Sequence, residues 1–129
     1  DYLINKMRTL IFTTALPPIN IEWTSFVLSQ LEQFSDRREH LQRISRLLHD
    51  ALARLGGPIV SSSHILPLLA GESREAVRLA GTLQDHGFYV LPVRPPTVPE
   101  GTSRLRFSLN ANLTEEEIGQ LITVIQGLT

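Results

Sequence analysis

The chain has 129 residues, with 12 basic and 13 acidic side chains, a formal net charge of −1 and no cysteine. A chain of this size can bury one core, while near-neutrality speaks against nucleic acid or an anionic membrane as partner, and the lack of cysteine excludes a disulfide framework and a thiolate metal site. No apolar run reaches the roughly 18 residues a membrane-spanning helix needs and no signal-peptide pattern opens the sequence, so the reading is a cytoplasmic protein.

Asp1 to Arg8 reads as the last turns of an amphipathic helix, and with no initiator methionine the expectation is a piece cut from something longer. Thr9 to Thr14 is a short β-rich run that Pro17 and Pro18 end, the prolines suiting the first turn of a following helix. From Ile19 to Phe34 the apolar residues Ile21, Phe26, Val27, Leu28 and Leu31 follow a helical pattern, and Ser35 with Asp36 is expected to break it. Arg37 to Leu55 is a second helix: Leu41, Ile44, Leu47, Leu48, Leu52 and Leu55 recur at three and four, leaving Arg37, Arg38, Glu39, Arg43 and Arg46 on a solvated face. Gly56 and Gly57 stop it.

The second half alternates strands and helices. Ser63 to Leu69 reads as a strand, and Ser73 to His86 as a helix with Ser73 at its N-cap and Gly87 at its C′ position. Phe88 to Val93 is the next strand, Arg104 to Leu109 the third, and Thr114 with Glu117 forms a capping box for a last helix whose apolar face is Ile118, Leu121, Ile122 and Ile125. The fold class is therefore α/β (α+β): a small sheet of about three strands, covered on one side by helices and preceded by a helical segment. The four histidines, His40, His49, His64 and His86, do not form a metal spacing, and no Gly-rich phosphate loop, nucleophile elbow or paired carboxylates occur.

The chemistry-bearing stretch is VRPPTVPEGTSRLRFSL, Val93 to Leu109. Strand alternation puts Arg104 and Arg106 on one face while Leu105, Phe107 and Leu109 point the other way. Pro95, Pro96 and Pro99 stiffen the preceding loop and leave Thr97 between them with a hydroxyl and an N–H to offer. A guanidinium is a permanent, bidentate partner for a carboxylate, so a stiff loop beside a cationic strand can wall a small anionic substrate. On chemistry alone a surface hairpin with solvated arginines is the simpler reading. Thr13 and Thr14, between a strand and a Pro-Pro turn, could receive a phosphate, though threonine in a strand is ordinary.

The blocks RPPTVP (Arg94 to Pro99), GTSRLR (Gly101 to Arg106), IFTTALPP (Ile11 to Pro18) and SHILPLL (Ser63 to Leu69) resemble the α-oxoamine synthase family in order and spacing. These are fold-type I enzymes that use pyridoxal 5′-phosphate (PLP) to condense an amino acid with an acyl thioester, losing CO2. The double proline after Arg94 is more similar to the biotin-pathway member than to 5-aminolevulinate synthase or 2-amino-3-ketobutyrate ligase. The resemblance implies a small C-terminal domain over residues 19–129, preceded by the end of the large-domain or interface segment over residues 1–18. It implies that Thr97 contacts the acyl substrate, Arg106 pairs with the amino-acid carboxylate, and Thr13 and Thr14 contact the PLP phosphate of the neighbouring subunit in a homodimer. The implied substrates are L-alanine and a pimeloyl thioester of coenzyme A or acyl-carrier protein. Arg104 is expected to play a supporting structural part, and Arg94 could act on the thioester carrier.

Lys6 is the only lysine and sits outside any family-like lysine motif, so no residue here matches the family's Schiff-base lysine, and the segment alone is expected to be inactive. Two other readings stay open: a 2-amino-3-ketobutyrate ligase using glycine and acetyl-coenzyme A, and a binding module that kept the fold without the chemistry.

Overall fold

The computed structural model describes residues 2–7, 16–55 and 61–128. The expected β-rich run Thr9 to Thr14 and the glycine stop at Gly56 and Gly57 lie outside them. Packing divides the chain into two compact units, Asp1–Ser35 and Asp36–Thr129.

The first unit contains α1 (Tyr2–Lys6), α2 (Pro18–Gln30) and a 3-10 turn, Leu31–Phe34. Pro18 occupies the first turn of α2, where its missing N–H costs nothing, and the Asn20 N–H closes onto the Pro17 carbonyl at 2.9 Å. The apolar side chains of α2 do not form one stripe. Ile19, Trp23 and Phe26 share one side and Ile21 and Leu28 another, and all five are more than half exposed. Ser35 remains helical, with φ −56° and ψ −47°, so the expected break there is a tightened turn.

The second unit holds the core. In α3 (Ser35–Arg54), Ile44, Leu48, Ala51 and Leu52 are buried. Leu47, expected inside, is 43% exposed, because the buried stripe turns toward Ala51 instead. Strands β1 (Ile65–Gly71), β2 (Leu91–Val93) and β3 (Ser103–Ser108) form one sheet in the order β1-β3-β2, with β3 antiparallel to both neighbours. Between β1 and β2 runs α4 (Ser73–Asp85), and α5 (Glu115–Gln126) follows β3. The central strand is thus the last of the three in sequence. It enters between two strands already joined by a helix.

Leu105 and Phe107 of β3, with Leu66 of β1, join Ile44 and Leu48 of α3, Leu79 and Leu83 of α4, and Ile118, Leu121 and Ile125 of α5 in a single cluster. Burying each such side chain contributes about 1.5–3 kcal/mol, which makes this one-sided packing the main source of stability. Helix ends follow local chemistry. Gly87, at φ +88°, lets the Phe88 N–H reach the Leu83 carbonyl and its own N–H reach that of Gln84, a Schellman stop for α4. At α5 the Thr114 hydroxyl accepts from the Glu117 N–H at 3.1 Å while the Glu117 carboxylate accepts from the Thr114 N–H at 2.7 Å. Ser73 is the first residue of α4 and not its cap. Glu72 stands there without a side-chain bond, and the Ser73 hydroxyl lies 3.3 Å from that of fully buried Ser103.

Both edge strands carry a proline, Pro67 and Pro92, and the central strand carries none. The Leu109 N–H bonds the His64 carbonyl, and the alternation of antiparallel ladders then turns the nitrogens of Pro67 and Pro92 away from β3. No ladder bond is lost at either position.

Candidate functional site

The helices cover the Leu105 side of the sheet, so what the other side presents follows from the register. Arg104 and Arg106 project there, about 7 Å apart along β3. Arg106 stands opposite Pro67 on one side and Leu91 on the other, while Arg104 stands opposite Leu69 and Val93. Ile65, at 42% exposure, and Leu69, at 47%, complete an uncovered apolar surface around two guanidinium groups.

The two arginines differ. Arg104 is half-buried and its Nε donates to the Thr102 carbonyl at 3.0 Å, which ties it to its own strand. Arg106 is exposed, and among the described residues it takes no hydrogen bond or ion pair.

The connection from β2 to β3 is built of two turns. The Thr97 N–H bonds the Arg94 carbonyl at 3.0 Å across a cis Pro95–Pro96 bond. The Thr102 hydroxyl bonds the Pro99 carbonyl at 2.7 Å, and Gly101 between them takes φ +74°, a conformation glycine adopts without strain. Thr97 is exposed in this connection, and its hydroxyl makes no bond among the described residues. The hairpin therefore carries Thr97 in its loop and Arg106 on its returning strand. Thr13 and Thr14 lie outside the described residues.

Sequence reasoning missed the apolar frame around the arginines. The signal was present: β1 reads ILPLLAG, apolar on both faces, although the helices of its own unit pack against only one. A strand with two apolar faces belongs between two layers.

Away from the arginines, a cleft of about 620 Å³ lies between α3 and the segment before β1, lined among others by Arg38, Arg46, His49, Ser61, Ser63 and His64. The hydroxyls of Ser61 and Ser63 are engaged locally. Ser61 Oγ donates to the Ile65 carbonyl at 2.6 Å, and Ser63 Oγ accepts from the Ile65 N–H at 3.1 Å. The histidines act in structure elsewhere too: His40 Nε2 lies 2.7 Å from the Leu113 carbonyl, and His86 Nδ1 lies 2.8 Å from that of Thr82.

Residues 1–125 match the family model described as aminotransferase class I and II. The chain is 52% identical over 126 residues to a putative 8-amino-7-oxononanoate synthase of Glaesserella parasuis serovar 5, covering 97% of the chain and 33% of that relative. Among solved structures it is similar to 8-amino-7-oxononanoate synthase from Francisella tularensis, with 31% identity, a TM-score of 0.80 and coverage of 98% of this chain and 37% of that one. It is likewise similar to serine palmitoyltransferase from S. paucimobilis with a bound PLP–myriocin aldimine, at 30% identity and a TM-score of 0.80, covering 93% and 31%. The chain spans about a third of the length of the curated relatives it matches.

Proposed function

Because the chain belongs to the aminotransferase class I and II family, we propose that it is the C-terminal part of an 8-amino-7-oxononanoate synthase. The parent would be a cytoplasmic acyltransferase of biotin synthesis that joins L-alanine to a pimeloyl thioester, carried by coenzyme A or acyl-carrier protein, and releases CO2 and the thiol carrier. Similarity to synthases of that name over nearly the whole chain supports this reading. Within it, residues 1–18 end the large-domain or interface segment and residues 19–129 form the small domain.

The described residues do not themselves make a holder for PLP. The open sheet face offers guanidinium and aliphatic groups, and the one lysine, Lys6, belongs to α1. In the parent, PLP would be held mainly by the remaining two-thirds of the polypeptide, with Thr13 and Thr14 reaching the phosphate in the partner subunit of a homodimer.

What this chain's own residues do is bind and orient. Arg106, exposed on a rigid central strand and framed by Pro67 and Leu91, is the observation that carries the proposal. Its fork takes the amino-acid carboxylate in two parallel bonds, which fixes the rotation of the substituents on the substrate's Cα. Thr97, in the stiff loop, lines the acyl side. Uncovered leucine, isoleucine and valine side chains beside them keep water from the bound carboxylate.

The test is an assay of the full-length parent with L-alanine and pimeloyl-coenzyme A, wild type beside Arg106→Ala. Carrier release by wild type and a selective loss of L-alanine use by the variant are expected. Preference for glycine with acetyl-coenzyme A would move the assignment to the ligase, and inactivity with either pair would leave a binding module.

A further inference from the structure

We infer that Leu91 is a positioning residue for Arg106, an inference that rests on the carboxylate role proposed above. Leu91 lies directly across the ladder from Arg106 on an edge strand, and 44% of it is exposed. Exposed faces of edge strands commonly carry charged or polar side chains, so a leucine there calls for an explanation.

Other arginines in the chain supply it. Arg78 grips Glu75 through two bonds of 2.9 and 2.6 Å, Arg43 meets Glu115 at 2.8 Å, Arg37 bonds Asn112, and Arg104 takes the Thr102 carbonyl. These four arginines spend donors on acceptors within the chain. Side chains directly opposed on a ladder have Cβ atoms about 4.5–5.5 Å apart, well inside the reach of a guanidinium. A glutamate, glutamine or threonine at position 91 would therefore engage Arg106 internally. Leucine cannot. On the other flank Pro67 offers neither a side-chain acceptor nor an N–H. The pair of aliphatic neighbours leaves the five guanidinium donors unspent. Arg106 is thereby kept available for a carboxylate that arrives from outside.

The experiment uses the full-length parent enzyme and four variants: Leu91→Glu, Leu91→Met, Arg106→Ala and the Leu91→Glu/Arg106→Ala double variant. Leu91→Glu should raise KM for L-alanine about fivefold through the competing cross-strand pair, with kcat within about twofold of wild type and KM for the thioester unchanged. Leu91→Met should behave as wild type, and Leu91→Glu should add nothing in the Arg106→Ala background. The inference is overturned if Leu91→Glu leaves KM for L-alanine unchanged while Arg106→Ala raises it, if Leu91→Met shifts it equally, or if the effect persists without Arg106. Should Arg106→Ala itself leave L-alanine use intact, the carboxylate role fails first, a result separable from the others.

Discussion

The guanidinium of Arg43 meets the carboxylate of Glu115 at 2.8 Å, joining the middle of α3 to the first turn of α5 across 72 residues of sequence. His40, one turn earlier, reaches the Leu113 carbonyl just before that helix, and Arg37 reaches Asn112. Three successive turns of α3 thus hold the segment that starts α5.

These links should not weigh equally. Both partners of the Arg43–Glu115 pair are more than half exposed, so Arg43→Ala should cost well under about 1 kcal/mol. His40 is only half-buried, yet it satisfies a carbonyl at a helix entry, and His40→Ala should cost about 1 kcal/mol. Urea unfolding of the chain and both variants, followed by circular dichroism, orders the two; a larger loss at Arg43 would contradict the ranking.

The capping box gives a pH dependence of defined sign. Hydrogen bonds from the Thr114 N–H, and secondarily from its hydroxyl, hold the Glu117 carboxyl below its ordinary value. A carboxylate whose folded pKa is depressed binds its proton more readily when unfolded, so its contribution is present above the ordinary glutamate range and disappears as pH falls through the lowered value. Glu117→Gln should flatten the fall of Tm between about pH 5 and pH 3 relative to wild type. Parallel Tm curves for the two proteins would remove the carboxylate from the box's energetics.

Leu105 is fully buried at the centre of the sheet, and truncating it leaves a cavity that three helices cannot close. Leu105→Ala should lose about 2–5 kcal/mol, whereas Arg106→Ala, one residue along on the open face, should lose less than about 0.5 kcal/mol. Comparable losses at the two positions, read from urea midpoints, would mean that the open face is packed.

At Gly101 the surroundings are empty, with no atom within 4 Å of an added Cβ, so the positive φ is the whole obstacle to a side chain. Gly101→Ala should cost about 1–2 kcal/mol and raise KM for the thioester in the parent by displacing Thr97. Gly119, inside α5 with equally open surroundings, is the control: Gly119→Ala should stabilise by about 0.5–1 kcal/mol. A stabilising Gly101→Ala would overturn the turn assignment.

Much of this arrangement could be read from local sequence. Thr114 with Glu117, Gly87 after α4, and the Arg104–Leu105–Arg106–Phe107 alternation each act within a few residues, where spacing carries the signal. The strand order could not be read, since nothing near Ser103 says that β3 enters between β1 and β2. Without that order the partners of Arg106 were out of sight. Leu47 was misplaced for a related reason: its spacing fits the helical stripe as well as Ala51 does, and only the tertiary direction of α3 chooses between them. Ser35 and Asp36 break a helix only weakly, and the backbone passes through Ser35 in helical form.

The two edge prolines have a consequence beyond the ladder. With the nitrogens of Pro67 and Pro92 facing outward, each rim of the sheet lacks a donor at its middle and presents a ring in its place. A fourth strand, from any chain, would find its registry interrupted on either side. A sheet with one greasy face left bare is thereby protected from fibre-like stacking at its borders, and association is steered toward that face, through side chains.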